Sequence, residues 1–344
     1  MKFVARLLAG CVLAMVSTAP RAQESVAQFY RGRQITIIVG TAAGGGYDTY
    51  ARFLARFMGK HIPGAPGIIV SNMSGAGSNT AGYYIYKVAP KDGTVIGSIF
   101  GGAILEPLIG TTSVQHDPSK FHYLGSANDD VYVCLARKDA PPQTFAETLE
   151  KEIIMGASMA SSSSDFSALL KNVIGAKFRI VLGYTGSRNI MLATEKNEVQ
   201  GACGFAWPSI NVTNPSWFGD AGFVRVLAQT HVKGHPELNA LGVPLAGSFA
   251  RNAEEKAILE LYFSHTQFGR PYVVAPEVPR ERVDALRKAF MATLKDPEFI
   301  SEARRVGLDI DAVAGDEVQR LIAGIYAASP DLIAKVRNGL KPPG

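Results

Sequence analysis

The chain has 344 residues, enough for about two domains, and 47% of them are hydrophobic against 19% charged, so it can bury a sizeable core and is neither a disordered tail nor a coiled coil. Its 35 basic residues outnumber its 30 acidic ones, but Lys2, Arg6 and Arg21 fall in the acid-free N-terminal stretch, leaving 32 against 30 and no case for nucleic-acid binding. Glycine is the informative excess: its 35 residues are clustered rather than periodic, which excludes collagen and points to shaped loops.

Lys2 and Arg6 precede an apolar run from Leu7 to Val16, followed by small residues and Pro20. A charged start, a short apolar stretch and a small-residue end make an export signal, with cleavage expected after Ala22. The run is too short to span a bilayer. Leu8-Ala9-Gly10-Cys11 offers a rival, a lipidated Cys11, although the apolar run continues past it. Export leaves Cys134 and Cys203. An oxidising compartment allows them to pair, and spacing alone does not decide whether they do. No other segment reaches transmembrane length, so the mature chain is expected to be soluble.

Gln34–Gly40 is a short β-branched run, the mark of a buried strand, and Thr41–Gly46 is a Gly-rich turn. The period then changes. Tyr50, Phe53, Leu54, Phe57 and Met58 share one helical face, and Gly59 is a plausible stop. The unit recurs: strand Ile68–Ser71, polar turn Ser74–Asn79, helix Thr80–Val88, turn Pro90–Gly93, strand Thr94–Phe100. Farther along come strand Glu152–Ala157, a serine-rich loop Ser158–Ser164, and a helical stripe through Phe166, Leu169, Leu170, Val173 and Ile174. Strand Phe178–Leu182, loop Gly183–Ser187, helix Asn189–Asn197, and strands Val199–Phe205 and Phe223–Ala228 follow. After Ala250 come a helix, one late strand Pro271–Ala275, and helices near 280–294, 297–306, 316–327 and 330–338. Strands alternating with helices predict an α/β fold with parallel, doubly wound sheets. The late strand would return to the first sheet. That gives lobe I at 23–130 plus 232–344 and an inserted lobe II at 131–231, with a double-crossover hinge near 131 and 231.

Ligands in such folds bind beyond the carboxyl ends of the strands. Four loops qualify: Thr41–Asp48, Ser74–Asn79, Ser158–Asp165 and Gly183–Ser187. Each opens a helix, whose unpaired N–H groups and positive dipole end favour an anion, so a carboxylate site forms without need of an arginine. Asp48 is read as a cap, or as a residue that fixes the loop or accepts a ligand donor. Tyr47 and Tyr184 either line the pocket or pack at its rim. Enzyme readings fare poorly. Gly40–Gly46 is neither a dinucleotide fingerprint nor a phosphate loop, and Gly156-Ala-Ser158-Met-Ala160 lacks the second glycine of a nucleophile elbow. His231 and His235 are spaced i, i+4, but Gly234 and Pro236 argue against a helix there, and no Cys–His spacing suits a metal. No cofactor or metal is expected.

The run Ile35–Arg52, I-T-I-I-V-G-T-A-A-G-G-G-Y-D-T-Y-A-R, resembles the first signature of Bug-type receptors, the extracytoplasmic solute-binding proteins of tripartite tricarboxylate transporters (TctC-like). V-S-N-M-S-G-A-G at Val70–Gly77, followed by A-P-K-D-G-T at 89–94, resembles the second. Tyr184-Thr-Gly-Ser187, Asn197-Glu-Val-Gln200 and Pro236–Pro244 resemble later family motifs, and the order holds over about residues 30–340. The resemblance implies a type II periplasmic binding protein of two lobes that closes on a small carboxylate. It implies contacts from Ala43, Gly44, Gly45, Gly46, Tyr47 and Asp48 in the first loop and Ser74, Gly75, Ala76, Gly77 and Ser78 in the second. Ser161, Ser162, Ser163, Tyr184, Ser187 and Phe205 complete the expected set from the inserted lobe. Delivery of the ligand to membrane permease subunits by a monomeric periplasmic receptor is implied by the family alone. The sequence does not separate this from a ligand-presenting sensor subunit for a membrane kinase, and an exported hydrolase using Ser158 is the remaining alternative. Departures cluster in the inserted lobe. Gln200 stands where the family has Asp, Asn197 where it has Gly, and A-C-G-F-A-W-P at Ala202–Pro208 is unusual. Phe205 and Trp207 are read either as core or as favouring an aromatic or longer aliphatic acid.

Overall fold

The computed structural model describes residues 24–110, 114–159 and 161–341. The expected signal segment, its cleavage point at Ala22 and the rival anchor Cys11 lie outside them. The first sheet contains β1 (Gln34–Val39), β2 (Gly67–Asn72), β3 (Val95–Ser98), β4 (His122–Ser126), β10 (Pro271–Val274) and β11 (Val313–Ala314), in the order β11-β4-β10-β3-β1-β2. The second contains β5 (Tyr132–Arg137), β6 (Ile153–Gly156), β7 (Phe178–Val181), β8 (Gly201–Ala206) and β9 (Val224–Thr230), in the order β7-β6-β8-β5-β9. The late strand therefore does return to the first sheet.

Both sheets are mixed, which corrects the expectation of parallel ones. β1 runs parallel to β2 and β3, and β6 parallel to β7 and β8. β10 lies antiparallel between β3 and β4, and β5 antiparallel between β8 and β9. β11 also lies antiparallel to β4. β5 and β10 enter where the chain passes from one sheet to the other, so neither continues a βαβ unit within its own sheet, and the rule that makes such strands parallel does not reach them.

The Gly46–Met58 helix buries Tyr50, Phe53, Leu54, Phe57 and Met58, the face its period predicts. β4, β5 and the Gly101–Ile109 helix are among the elements that carry no clear signal in the sequence and appear here. Ser162–Ile174 is helical from its serines onward, so Ser162, Ser163 and Ser164 form a first turn rather than a loop. Cys134 on β5 and Cys203 on β8 are joined by a disulfide, which settles their pairing.

The second crossing falls later in the chain than 231. Gln229 binds Asn239 and the Val243 carbonyl, Phe249 packs on Phe145 at 4.8 Å, and Tyr262 and Phe263 pack on Phe166. The Pro330–Gly339 helix also lies on the second sheet's helix, with the Asn172 amide donating to the Gly339 and Lys341 carbonyls. One buried cluster consequently runs from β3 through Phe166 and Leu169 to Leu259 and Val336, and couples the two sheets. No helix among the described residues is long and apolar enough to cross a membrane.

Candidate ligand-binding site

The first two loops leave the carboxyl ends of adjacent parallel strands, β1 and β2. Ala43, Gly44, Gly45 and Gly46 are exposed, as are Ser74, Gly75, Ala76 and Gly77. Small residues are required in the second loop for a conformational reason. Gly75, Ala76, Gly77 and Ser78 have φ of 141°, 45°, 61° and 80°, a run of left-handed backbone that bulky side chains resist. Gly45 caps the Gly46–Met58 helix, whose first-turn N–H groups have no partner within the helix.

Asp48 and Ser78 belong to these loops but turn away from solvent. Asp48 is 3% exposed. Its Oδ2 accepts from Gly44 N at 2.8 Å and Arg52 Nε at 2.9 Å, and its Oδ1 accepts from Asn72 Nδ2 at 2.9 Å. The Arg52 bond leads in holding its carboxyl at about 2, with the Gly44 and Asn72 bonds adding to it against the cost of burial. Asn72 also donates to the Thr41 carbonyl, so Asp48 ties the first loop to the end of β2. Ser78 donates from Oγ to Gly40 O at 3.0 Å and accepts from Phe100 N at 3.1 Å. A Cβ on Gly40 would lie 2.5 Å from that Oγ, which is why glycine follows β1 there. Both side chains hold the loops in place.

Tyr47 is similarly engaged. Its hydroxyl donates to Gly269 O at 2.5 Å and accepts from Gly101 N at 3.3 Å, and burial raises its pKa strongly. Its ring packs edge-on against Phe100. Sequence reading missed the group beneath it. Arg270, at the start of β10, is 5% exposed and lays its guanidinium 4.3 Å from the Tyr50 ring centroid and 5.1 Å from that of Tyr47. Its carboxylate partner Asp130 lies 3.7 Å away, in the segment between β4 and β5. A lone Arg before a strand has no periodic signature, and its partner is distant in sequence.

On the second sheet, the serine hydroxyls are bound internally. Ser161 Oγ donates to Ser158 O, Ser162 Oγ donates to Gly204 O, and Ser163 Oγ accepts from Ser158 N, each at 2.9 Å. They shape the start of the Ser162–Ile174 helix, whose first-turn amides have no partner within the helix. Tyr184 is half-buried against Gly156, and Ser187 is exposed at the first turn of the Ser187–Glu195 helix. Phe205 and Trp207 are buried with Val133 and Ile190, and Trp207 donates to Glu237 Oε2 at 3.0 Å. Of the two readings of these aromatics, burial in this cluster favours core. Asn197 takes φ of 58°, the left-handed conformation that glycine and asparagine tolerate best, so the exchange of one for the other is conformational. Gln200 pairs with Ile154 through its backbone N–H and accepts from Ile154 N with its side chain, so it joins strands.

Tyr132 connects the halves of the site. It sits where β5 begins, stacks on Phe166 at 5.2 Å, and feels the charges of Asp130, Tyr47 and Arg270. His231 Nε2 lies 2.7 Å from Asp129, and its Nδ1 accepts from Lys233 N and Gly234 N. Among the described residues, no three His, Cys, Asp or Glu side chains are grouped to hold a metal. Ser158 Oγ is buried without a hydrogen-bond partner.

Two lobes of mixed α/β structure with glycine-rich loops at their strand ends give the chain the fold of the TctC and Bug periplasmic binding proteins. A TctC solute-binding protein from Polaromonas, solved without ligand, superposes with a TM-score of 0.68 at 20% identity, over 89% of this chain and 99% of its own. The periplasmic binding protein BugD gives 0.63 at 20% identity over 90% and 98%. A Rhodopseudomonas palustris protein solved with adipate gives 0.64 at 21% identity over 89% and 98%. In sequence, the chain is 28% identical over 188 residues to a UPF0065 protein encoded in the TAR-I ttuE-ttuC' intergenic region of Agrobacterium vitis, covering 52% of this chain and 51% of the relative. The chain thus spans about half the length of the curated relative it matches. No family model matches it.

Proposed function

We propose that the chain is an exported member of the Bug-type receptors, that it captures a small carboxylate between two lobes, and that it passes the ligand to membrane permease subunits of a tripartite transporter. The carrying observation is the pair of exposed glycine-rich loops after β1 and β2, whose one acidic side chain, Asp48, is turned inward and ion-paired with Arg52. Backbone amides at a helix start attract an anion, and no outward carboxylate opposes it. In this reading the first two loops hold the carboxylate, and the starts of the Ser162–Ile174 and Ser187–Glu195 helices close over its far end. The neighbours solved with malate and with adipate agree with that ligand class. The lobes are divided at the segment between β4 and β5 and at the return to β10.

Binding to the native state alone stabilises it by about 2.7 kcal/mol at a ligand concentration 100 times Kd. A thermal-shift screen of di-, tri- and aromatic carboxylates tests the receptor reading. Uptake of the labelled acid by membranes carrying the permease subunits, with and without this chain, tests delivery; equal uptake in both would remove the transport role.

A further inference from the structure

Arg270 stands at the anion site with its charge poorly matched. The guanidinium lies against the first turn of the Gly46–Met58 helix, so close that a Cβ on Gly46 would sit 3.3 Å from Nη1. Glycine at 46 therefore leaves no side chain between the exposed loop and the guanidinium. The side chain is 6% exposed, and its Nε has no hydrogen-bond partner. Asp130 is 3.7 Å from Nη2, too far for a hydrogen bond, and its Oδ1 already accepts from Asn128 Nδ2 at 2.8 Å. A buried cation beside the positive end of a helix, with a loose counter-ion, is an unfavourable arrangement on its own. An anion at the loop relieves both terms at once, because it accepts from the helix amides and from the planar fork of the guanidinium.

We propose that Arg270 is a specificity-determining residue, which meets the ligand's carboxylate at the first loop and selects the ionised acid over its neutral isostere. Asp130 holds the guanidinium in place in the empty receptor and competes with the ligand for it. Tyr47 and Tyr50 fix the plane of the fork by packing their rings against it. The assignment rests on the carboxylate-receptor reading above.

The test is calorimetric titration of the full mature chain with malate, adipate, citrate, glutamate and benzoate, and with the carboxamide of each acid that binds. Wild-type, Arg270→Gln, Arg270→Lys and Asp130→Asn proteins are compared. The expected result is at least a 30-fold loss of acid affinity in Arg270→Gln, with carboxamide affinity changed less than threefold. Arg270→Lys falls between, and Asp130→Asn binds the acid severalfold more tightly. A purely structural arginine would lower acid and amide affinity in equal ratio, or neither, and that outcome overturns the assignment. Should Arg270→Gln fail to fold, an unchanged acid-to-amide ratio in both Arg270→Lys and Asp130→Asn overturns it equally. If no acid binds the wild type, the receptor reading falls and this proposal with it. If acids bind but selectivity ignores these substitutions, only Arg270 is misassigned.

Discussion

The Asp48 carboxylate accepts hydrogen bonds from Gly44, Arg52 and Asn72 and so closes the first loop onto the second strand. Asp48→Ala removes the shared acceptor of the Gly44 N–H, the Arg52 guanidinium and the Asn72 amide. We expect a loss of about 2 kcal/mol in urea denaturation and weaker ligand binding, since bonds to charged groups contribute ~1.5–3 kcal/mol each but share one site here. An unchanged midpoint would show that the loop is held by other contacts. His265 makes a pH-dependent contribution. It is 4% exposed between Phe166 and Tyr262, and burial lowers its pKa to about 4 despite the opposing bond to the Tyr262 carbonyl. The unfolded ring takes a proton near pH 6.5 while the native one stays neutral, so stability should fall as pH drops from about 6.5 to 4 and level off below. The shift corresponds to on the order of 3 kcal/mol. Melting curves of His265→Asn across that window should be flatter than wild type, and parallel curves would contradict the assignment.

Among the elements, β8 meets the Ser162–Ile174 helix closely. Gly204 has φ of 77°, and a Cβ there would sit 2.5 Å from the Ser162 carbonyl oxygen. Gly204→Ala is therefore both strained and crowded, and should cost about 3 kcal/mol or more while displacing the helix start from the site. The disulfide between β5 and β8 closes a separation of 69 residues, for which chain entropy gives about 4 kcal/mol. Reduction should lower the melting temperature clearly, and no change would mean that sheet packing alone holds the strands. These elements were unevenly legible in the sequence. β1 and its helix stand out because Ile35, Ile37 and Val39 and the Tyr50–Met58 face each follow a single period. β4, with His122, Gly125 and Ser126, follows none, because its burial comes from neighbours on both sides. The direction of β10 depends on where the chain re-enters the first sheet, which no local pattern encodes.

For the whole molecule, the loop motifs fall at the carboxyl ends of β1 and β2, and several of their polar side chains are bonded within the fold. Ser78, Asp48 and Ser163 were readable as site residues because small polar types gather there, but which atoms face inward depends on contacts made across the fold, such as Ser78 with Gly40 and Phe100. Arg270 and Asp130 were invisible because neither belongs to a motif and the two meet only where the chain passes between sheets. The coupling of the sheets through Phe166, Tyr262 and the Pro330–Gly339 helix means that lobe closure has to move against a shared core. The most direct test of the receptor account is the melting temperature of the mature chain against a panel of malate, adipate, citrate, glutamate and benzoate with their carboxamides. The account predicts a concentration-dependent rise with at least one ionised acid and a far smaller one with its amide. A rise with neutral or cationic compounds alone, or with none of the panel, would contradict it.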